Sequence, residues 1–146
     1  MDSIDKAILD KLTQNSRMPV SEISKKIALS IPAVAERIRK LEQNNTIEKY
    51  TIKVNRQKLG QNLLAFIFVS IEHTENIQHF RDTIIQQSCV LECHHVAGNH
   101  DYLLKVVLED TSFLENFLSK TLKNIKGVVS SNTIISLTTL KEELQT

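Results

Sequence analysis

The side chains best placed to do chemistry fall into three groups. Arg37, Arg39 and Lys40 lie close together with Glu36, shortly after Ser30, Pro32 and Ala33. Gly98, Asn99, His100, Asp101 and Tyr102 form a polar, glycine-containing joint between two predicted strands. Cys89, Cys93, His94 and His95 crowd one short stretch. Long cationic side chains on one helix bind phosphates, and an Arg can also address guanine through two hydrogen bonds. A serine at the helix start adds an anion site beside free backbone N–H groups. A glycine-containing turn lets backbone N–H groups approach a carboxylate, while Asp101 could accept from an ammonium group, a pairing suited to an α-amino acid. The plainer alternatives are a solvated charged face and an ordinary hairpin whose Asp101 bonds the turn backbone.

The third group reads as a metal site only superficially. Cys89 and Cys93 share a strand face but stand about 13 Å apart at 3.3 Å per residue, too far for two sulfurs on one zinc. The adjacent His94 and His95 point to opposite faces. We therefore expect no metal, no intrastrand disulfide, and buried thiols. No phosphate-binding glycine loop, nucleophile elbow or HExxH motif is present, so common catalytic signatures are absent and no cofactor is implied.

The elements that must position these residues follow from periodicity. Ile4, Ala7, Ile8 and Leu12 form the stripe of a first helix, capped by Asp2 or Ser3 and ending near Asn15. Ile23, Ile27 and Leu29 mark a short second helix after Pro19. Ser30 and Pro32 open a third, with Ile31, Val34, Ile38 and Leu41 inward and Ala33, Glu36, Arg37 and Lys40 on the opposite face. Pro32 and Arg39 fall at its margins, and Asn44-Asn45 stops it. A short helix, a tight turn and a capped basic helix match a helix-turn-helix, whose second helix enters the major groove.

From Ile47 to Val54 the pattern alternates, as in a strand or strand-like linker. Beyond Gly60 the order is strand 63–72, helix 76–87, strand 90–96, strand 101–109, helix 111–124 and strand 128–139, a βαββαβ ferredoxin-like arrangement. The fold class is thus α+β: a helix-turn-helix domain over 1–46, a linker strand over 47–62 and a ferredoxin-like dimerisation and effector domain over 63–146. In the first strand Phe66 and Phe68 alternate with Ala65, Ile67 and Val69, and in the third Leu104 and Val106 alternate with Leu103 and Val107. Both sheet faces want burial, which predicts a homodimer packed sheet against sheet.

Composition supports this division. With 41% hydrophobic and 24% charged residues, 146 residues can bury a core, and disordered or linker-rich classes are excluded. Residues 1–62 carry 12 Lys and Arg against 7 Asp and Glu, a balance of +5; residues 63–146 carry 6 against 10, a balance of −4. The first part is suited to a polyanion and the second is not. The longest apolar run, Leu63 to Val69, is far short of the roughly 20 residues that cross a bilayer. Asp2 and Asp5 stand where a signal segment would be basic and then apolar. We expect a soluble cytoplasmic protein with no membrane partner.

The residues Asp2-x-x-Asp5-x-x-Ile8-Leu9, Asn15-Ser16-Arg17, Glu22-Ile23, Leu29-Ser30, Arg37-Ile38-x-x-Leu41-Glu42, Ile47, Tyr50 and Leu59-Gly60 together resemble the N-terminal signature of the Lrp/AsnC family of transcription regulators. Gly98-Asn99-His100-Asp101-Tyr102-Leu103-Leu104, Gly127-Val128 and Thr133 resemble that family's amino-acid-sensing domain. The resemblance implies a homodimer that assembles further into tetramers or octamers. It also implies sequence-specific binding of double-stranded DNA, modulated by a small effector, usually an amino acid. It carries DNA contacts onto Ser30, Pro32, Ala33, Glu36, Arg37, Arg39 and Lys40. Effector contacts fall on Gly98, Asn99, His100, Asp101, Tyr102, Thr133, Ile135 and Ser136, at a junction between dimers, with His94 and Thr111 as further members. Two other readings remain: a nucleoid-type protein that wraps DNA with little sequence preference, and an enzyme similar to siroheme decarboxylases of the same architecture, using His94, His95 or His100.

Overall fold

The computed structural model describes residues 1–143. It divides into two compact units, one formed by residues 1–54 with residues 141–143, the other by Asn55–Leu140. The break after Val54 falls inside the stretch read as a linker.

The first unit holds α1 (Ser3–Gln14), α2 (Val20–Ile27) and α3 (Ile31–Gln43). Asp2 caps α1: its carboxylate accepts from the N–H groups of Ile4 and Asp5, and Asp5 accepts in return from the Asp2 N–H. This reciprocal box satisfies donors that every helix start leaves open. Pro19 stands just ahead of α2, and Ala28 at φ +54° ends that helix in the left-handed region. Leu29, read as part of the α2 stripe, therefore lies beyond the helix. There its carbonyl accepts from the Ser24 hydroxyl and its N–H donates to the Ser24 carbonyl. Ser30 caps α3 through the Ala33 N–H, with Pro32 in the first turn. Asn45 ends the helix at φ +57°, the conformation that asparagine tolerates. Ile8, Leu12, Ile23, Val34 and Leu41 make the core. Ile31, expected in that core, is 51% exposed.

The strand expected over Ile47 to Val54 is not formed. Residues 48–55 run without a ladder, and Tyr50, Ile52 and Val54 are exposed. Alternation makes a strand only where a second strand supplies hydrogen bonds, and among the described residues none pairs here.

The second unit opens with a tight turn over Arg56–Leu59. It then builds β1 (Leu63–Ile71), α4 (Ile77–Ile84), β2 (Val90–His95), β3 (Tyr102–Leu108), α5 (Thr111–Asn116) and β4 (Val128–Ser136). The strands form one antiparallel sheet in the order β2-β3-β1-β4, as a βαββαβ fold requires. Both helices are shorter than expected: α4 is preceded by a tight turn over Thr74–Asn76, and α5 passes into a wide turn over Phe117–Thr121 and a tight one over Leu122–Asn124. Leu63, Ala65, Ile67 and Val69 alternate inward against Phe80, Ile84, Leu104, Val106, Phe117 and Leu122. The other face presents Leu64, Phe66 and Phe68 of β1 and Leu103 of β3, all half-buried, with Ile134 exposed. Gly127 sits at φ +94° against Asn76, where an added Cβ would fall 2.4 Å from the Asn76 Cβ.

Candidate nucleic-acid interface and effector loop

With 3.6 residues per turn, Pro32, Glu36, Arg39 and Gln43 align as one stripe opposite Val34, Ile38 and Leu41. All four are exposed. The outward face of α3 thus differs from the expected one. Arg39, placed at a margin by sequence, is central, and Gln43 belongs to the stripe although it was not anticipated. Arg37, placed centrally, lies on the flank toward α1. Glu36 and Arg37 are consecutive and stand about 100° apart around the helix axis, so they cannot both be central to one face.

Arg37 is engaged within the unit. Its Nη1 donates to Asp2 Oδ2 at 2.8 Å and to Asp5 Oδ1 at 2.7 Å, linking the middle of α3 to the cap of α1. Each aspartate is held below the usual carboxylate range, Asp2 by the Asp5 N–H and then Arg37, Asp5 by the Asp2 N–H and then Arg37. The two carboxylates raise the Arg37 pKa in turn. A shallow groove of about 500 Å³ lies along this flank, lined by Asp5, Ala33, Glu36, Arg37 and Lys40 among others.

Glu36 and Arg39 form a fork one turn apart, with Nε to Oε2 at 2.9 Å and Nη2 to Oε1 at 2.6 Å. Lys40 Nζ stands 3.8 Å from the same carboxylate. Arg39 holds the Glu36 pKa down, and Glu36 raises that of Arg39. Lys25 and Lys26 are exposed on α2, with Lys26 paired to Glu22 at 3.4 Å.

The Gly98–Tyr102 segment joins β2 to β3. Gly98 adopts φ +150° with open space where a Cβ would stand, and Asn99 is exposed. Asp101 is tied to β1: its Oδ2 accepts from the Ile71 N–H at 2.7 Å, and its N–H donates to the Val69 carbonyl at 2.9 Å. His100 Nδ1 lies 3.1 Å from the Ser70 hydroxyl, with its ring near Phe68. Tyr102, expected with the loop, is instead in the core at 2% exposure, its hydroxyl accepting from Arg81 Nε at 2.7 Å and its ring beside Phe80 and His95. Sequence reasoning missed the Arg81 contact because 21 residues separate the partners.

The last strand does not bring its expected residues to this loop. Ser131 pairs with Val69, the row that also holds Tyr102, whereas Thr133 pairs with Ile67, Ile135 with Ala65 and Ser136 with Leu64. Ser136 is five residues along the strand from Ser131, about 16 Å at 3.3 Å per residue. Within one chain, the loop and the Ile135–Ser136 end are therefore separate places. His94 bonds Glu92 at 3.1 Å, and Lys105 reaches the same carboxylate at 3.0 Å. Glu92 is held low by His94 and then Lys105, and burial pushes both cysteine thiols up. Thr111 opens α5, which Asp110 caps.

Comparison with known proteins decides what these two units are. The family model described as the AsnC-type helix-turn-helix domain matches residues 1–42, and that of the Lrp/AsnC ligand binding domain matches residues 64–146. The chain belongs to the Lrp/AsnC family of transcription regulators. The leucine-responsive regulatory protein of Klebsiella pneumoniae is 31% identical to it over 144 residues, covering 97% of this chain and 88% of its own. An uncharacterized HTH-type transcriptional regulator of Pyrococcus furiosus is 33% identical over 146 residues, covering 99% and 97%. Among solved structures, a transcriptional regulator of Neisseria meningitidis in complex with L-methionine superposes with a TM-score of 0.95 at 28% identity, over 98% of this chain and 94% of that one. As a member of the Lrp/AsnC family, the chain is a transcription regulator with one helix-turn-helix unit and one ligand-binding unit. No helix among the described residues is long and apolar enough to cross a membrane.

Proposed function

We propose that this Lrp/AsnC protein is a cytoplasmic, non-enzymatic, sequence-specific regulator that binds double-stranded DNA as a homodimer or larger assembly and responds to an amino acid. The observation that carries the reading is the exposed stripe of α3, which sets Glu36, Arg39 and Gln43 outward on a helix that Ser30 caps. A major groove about 12 Å wide admits such a helix. Within it, Ser30, Pro32, Ala33, Glu36, Arg39 and Lys40 meet DNA, whereas Arg37 acts chiefly by fixing α3 against α1.

Dimerisation would cover Phe66, Phe68, Leu103 and Ile134 on the open sheet face. The effector site combines the loop Gly98–Asp101 of one subunit with Thr133, Ile135 and Ser136 of another, which reconciles their separation within one chain. The amino-acid class follows the L-methionine complex of the Neisseria meningitidis relative. Gel shifts on the DNA flanking the protein's own coding region, run at low and physiological salt with and without each amino acid, test the reading. A salt-sensitive, site-preferring complex altered by an amino acid is expected. Failure to bind any duplex at low ionic strength removes it.

A further inference from the structure

The start of α3 is unusual for a helix that reads bases. Residues 31–35 are Ile, Pro, Ala, Val and Ala, without a polar side chain among them. The hydroxyl of Ser30 accepts the Ala33 N–H. The first side chain along α3 that can hydrogen bond to a base edge is therefore Glu36, an acceptor. In a helix-turn-helix, the N-terminal residues of the second helix are the ones that meet base edges. A bare carboxylate there would be repelled by the phosphates on either side, but Glu36 is not bare. Arg39 forks onto both of its oxygens, and Lys40 stands within 3.8 Å.

Resting on the DNA-binding reading above, we propose that Glu36, held in place by Arg39, is a specificity-determining residue that accepts a hydrogen bond from the amino group of a cytosine in the major groove. Each carboxylate oxygen that takes one N–H from Arg39 retains a second acceptor direction. Cytosine offers its N4 donor beside a C–H edge, which a carboxylate meets without conflict. Adenine sets its N6 donor beside the N7 acceptor, whose lone pair repels a carboxylate, and guanine and thymine present acceptors at the corresponding edge. Arg39 uses Nε and one hydrogen of Nη2 on Glu36. Its remaining end, Nη1 with the second Nη2 hydrogen, keeps the paired spacing that matches O6 and N7 of a neighbouring guanine. Pro32, Ala33 and Ala35 add only apolar surface, suited to thymine methyl groups.

The test begins with duplexes selected by the wild-type protein from a random pool. Affinities of wild type, Glu36→Ala and Glu36→Gln are then measured with each base pair of the selected site replaced in turn. One position in each half-site should show a cytosine preference of about tenfold or more in wild type. Glu36→Ala should abolish that preference while leaving the others, and Glu36→Gln should move it toward adenine, whose N6 and N7 a carboxamide matches. A cytosine analogue lacking the 4-amino group should weaken wild type and leave Glu36→Ala unaffected. If Glu36→Ala instead tightens binding to every duplex alike, with no change at any single position, Glu36 is only a charge and the inference is overturned. Wild type that binds no duplex at low salt overturns the inference together with the DNA reading. Far-UV circular dichroism of both variants shows that the helix is retained.

Discussion

Arg37 Nη1 lies 2.7 Å from Asp5 Oδ1, so the middle of α3 is tied to the first turn of α1 across 32 residues of sequence. The same nitrogen reaches Asp2, whose other oxygen caps α1, so one guanidinium serves both the cap and the angle between helices. Replacing Arg37 with Ala should lower Tm modestly and weaken binding about equally across DNA sequences, because the helix loses its seat and no base contact disappears. Lys should restore part of the stability, since its ammonium can also donate to both carboxylates from one nitrogen but lacks the rigid planar group that fixes the direction of the two bonds. A variant with unchanged Tm and a lost preference at one base would instead make Arg37 a base reader.

The clamp has a defined pH dependence. Asp2 and Asp5 titrate lower in the folded protein than the ordinary aspartate value of 3.8. The unfolded chain therefore binds more protons in that range, and stability rises with pH through it. The contribution is fully present above the ordinary aspartate range and is lost as pH falls through the depressed folded values. Thermal melts from pH 6 down to pH 2.5 should show a steeper loss for wild type than for Asp5→Asn. Parallel curves would mean that the pair contributes nothing through its charge.

Gly127 has no room for a side chain. A Cβ there would overlap the Asn76 Cβ, and φ +94° is strained for any L residue. The Gly127 carbonyl also accepts from the Glu72 N–H at 2.7 Å, so the backbone cannot easily retreat. Gly127→Ala should cost about 1–3 kcal/mol by chemical denaturation. Gly98→Ala meets open space and should cost less. Equal losses would show that φ alone, and not the contact with Asn76, sets the cost.

The three N-terminal helices, their ends and the βαββαβ order were legible because each rests on local signals: a cap at Asp2 or Ser3, of which Asp2 serves, the Ser30 cap, the Asn44-Asn45 stop and the apolar run of β1. What was not legible depended on distance along the chain. Arg37 reads as a free cation until Asp2 and Asp5 are brought to it, and Tyr102 as a loop residue until Arg81 is. Glu36 and Arg37 do not share the outward face of α3, because consecutive residues stand about 100° apart around a helix. The spread of Thr133, Ile135 and Ser136 away from Asp101 is a matter of strand register, which no spacing along one strand reveals. Alternation over Ile47 to Val54 was real, but the partner that would turn it into a strand is not among the described residues of this chain.

The open sheet face carries the proposed dimer. Phe66 sits in the middle of β1, paired to Lys105 on one side and Ile134 on the other, and remains half-buried in the single chain. Phe66→Asp would place an unpaired carboxylate at the centre of an interface, where burial of charge is strongly unfavourable. Sedimentation should show a monomer for this variant and a dimer or larger species for wild type. An unchanged assembly would locate the contact elsewhere.

Asp101 separates two roles that one loop could play. Its Oδ2 anchors the loop through the Ile71 N–H, so Asp101→Ala removes an acceptor and leaves a partly buried donor unpaired, at a cost of about 1–3 kcal/mol. Asp101→Asn keeps an acceptor for Ile71 but removes the charge that an effector's ammonium would need. Asn should therefore stay close to wild type in Tm without ligand, while the thermal shift produced by the responding amino acid, proportional to the logarithm of ligand over Kd at saturation, falls or vanishes. A full ligand-induced shift in Asp101→Asn would assign Asp101 to loop structure alone and move ammonium recognition to another residue.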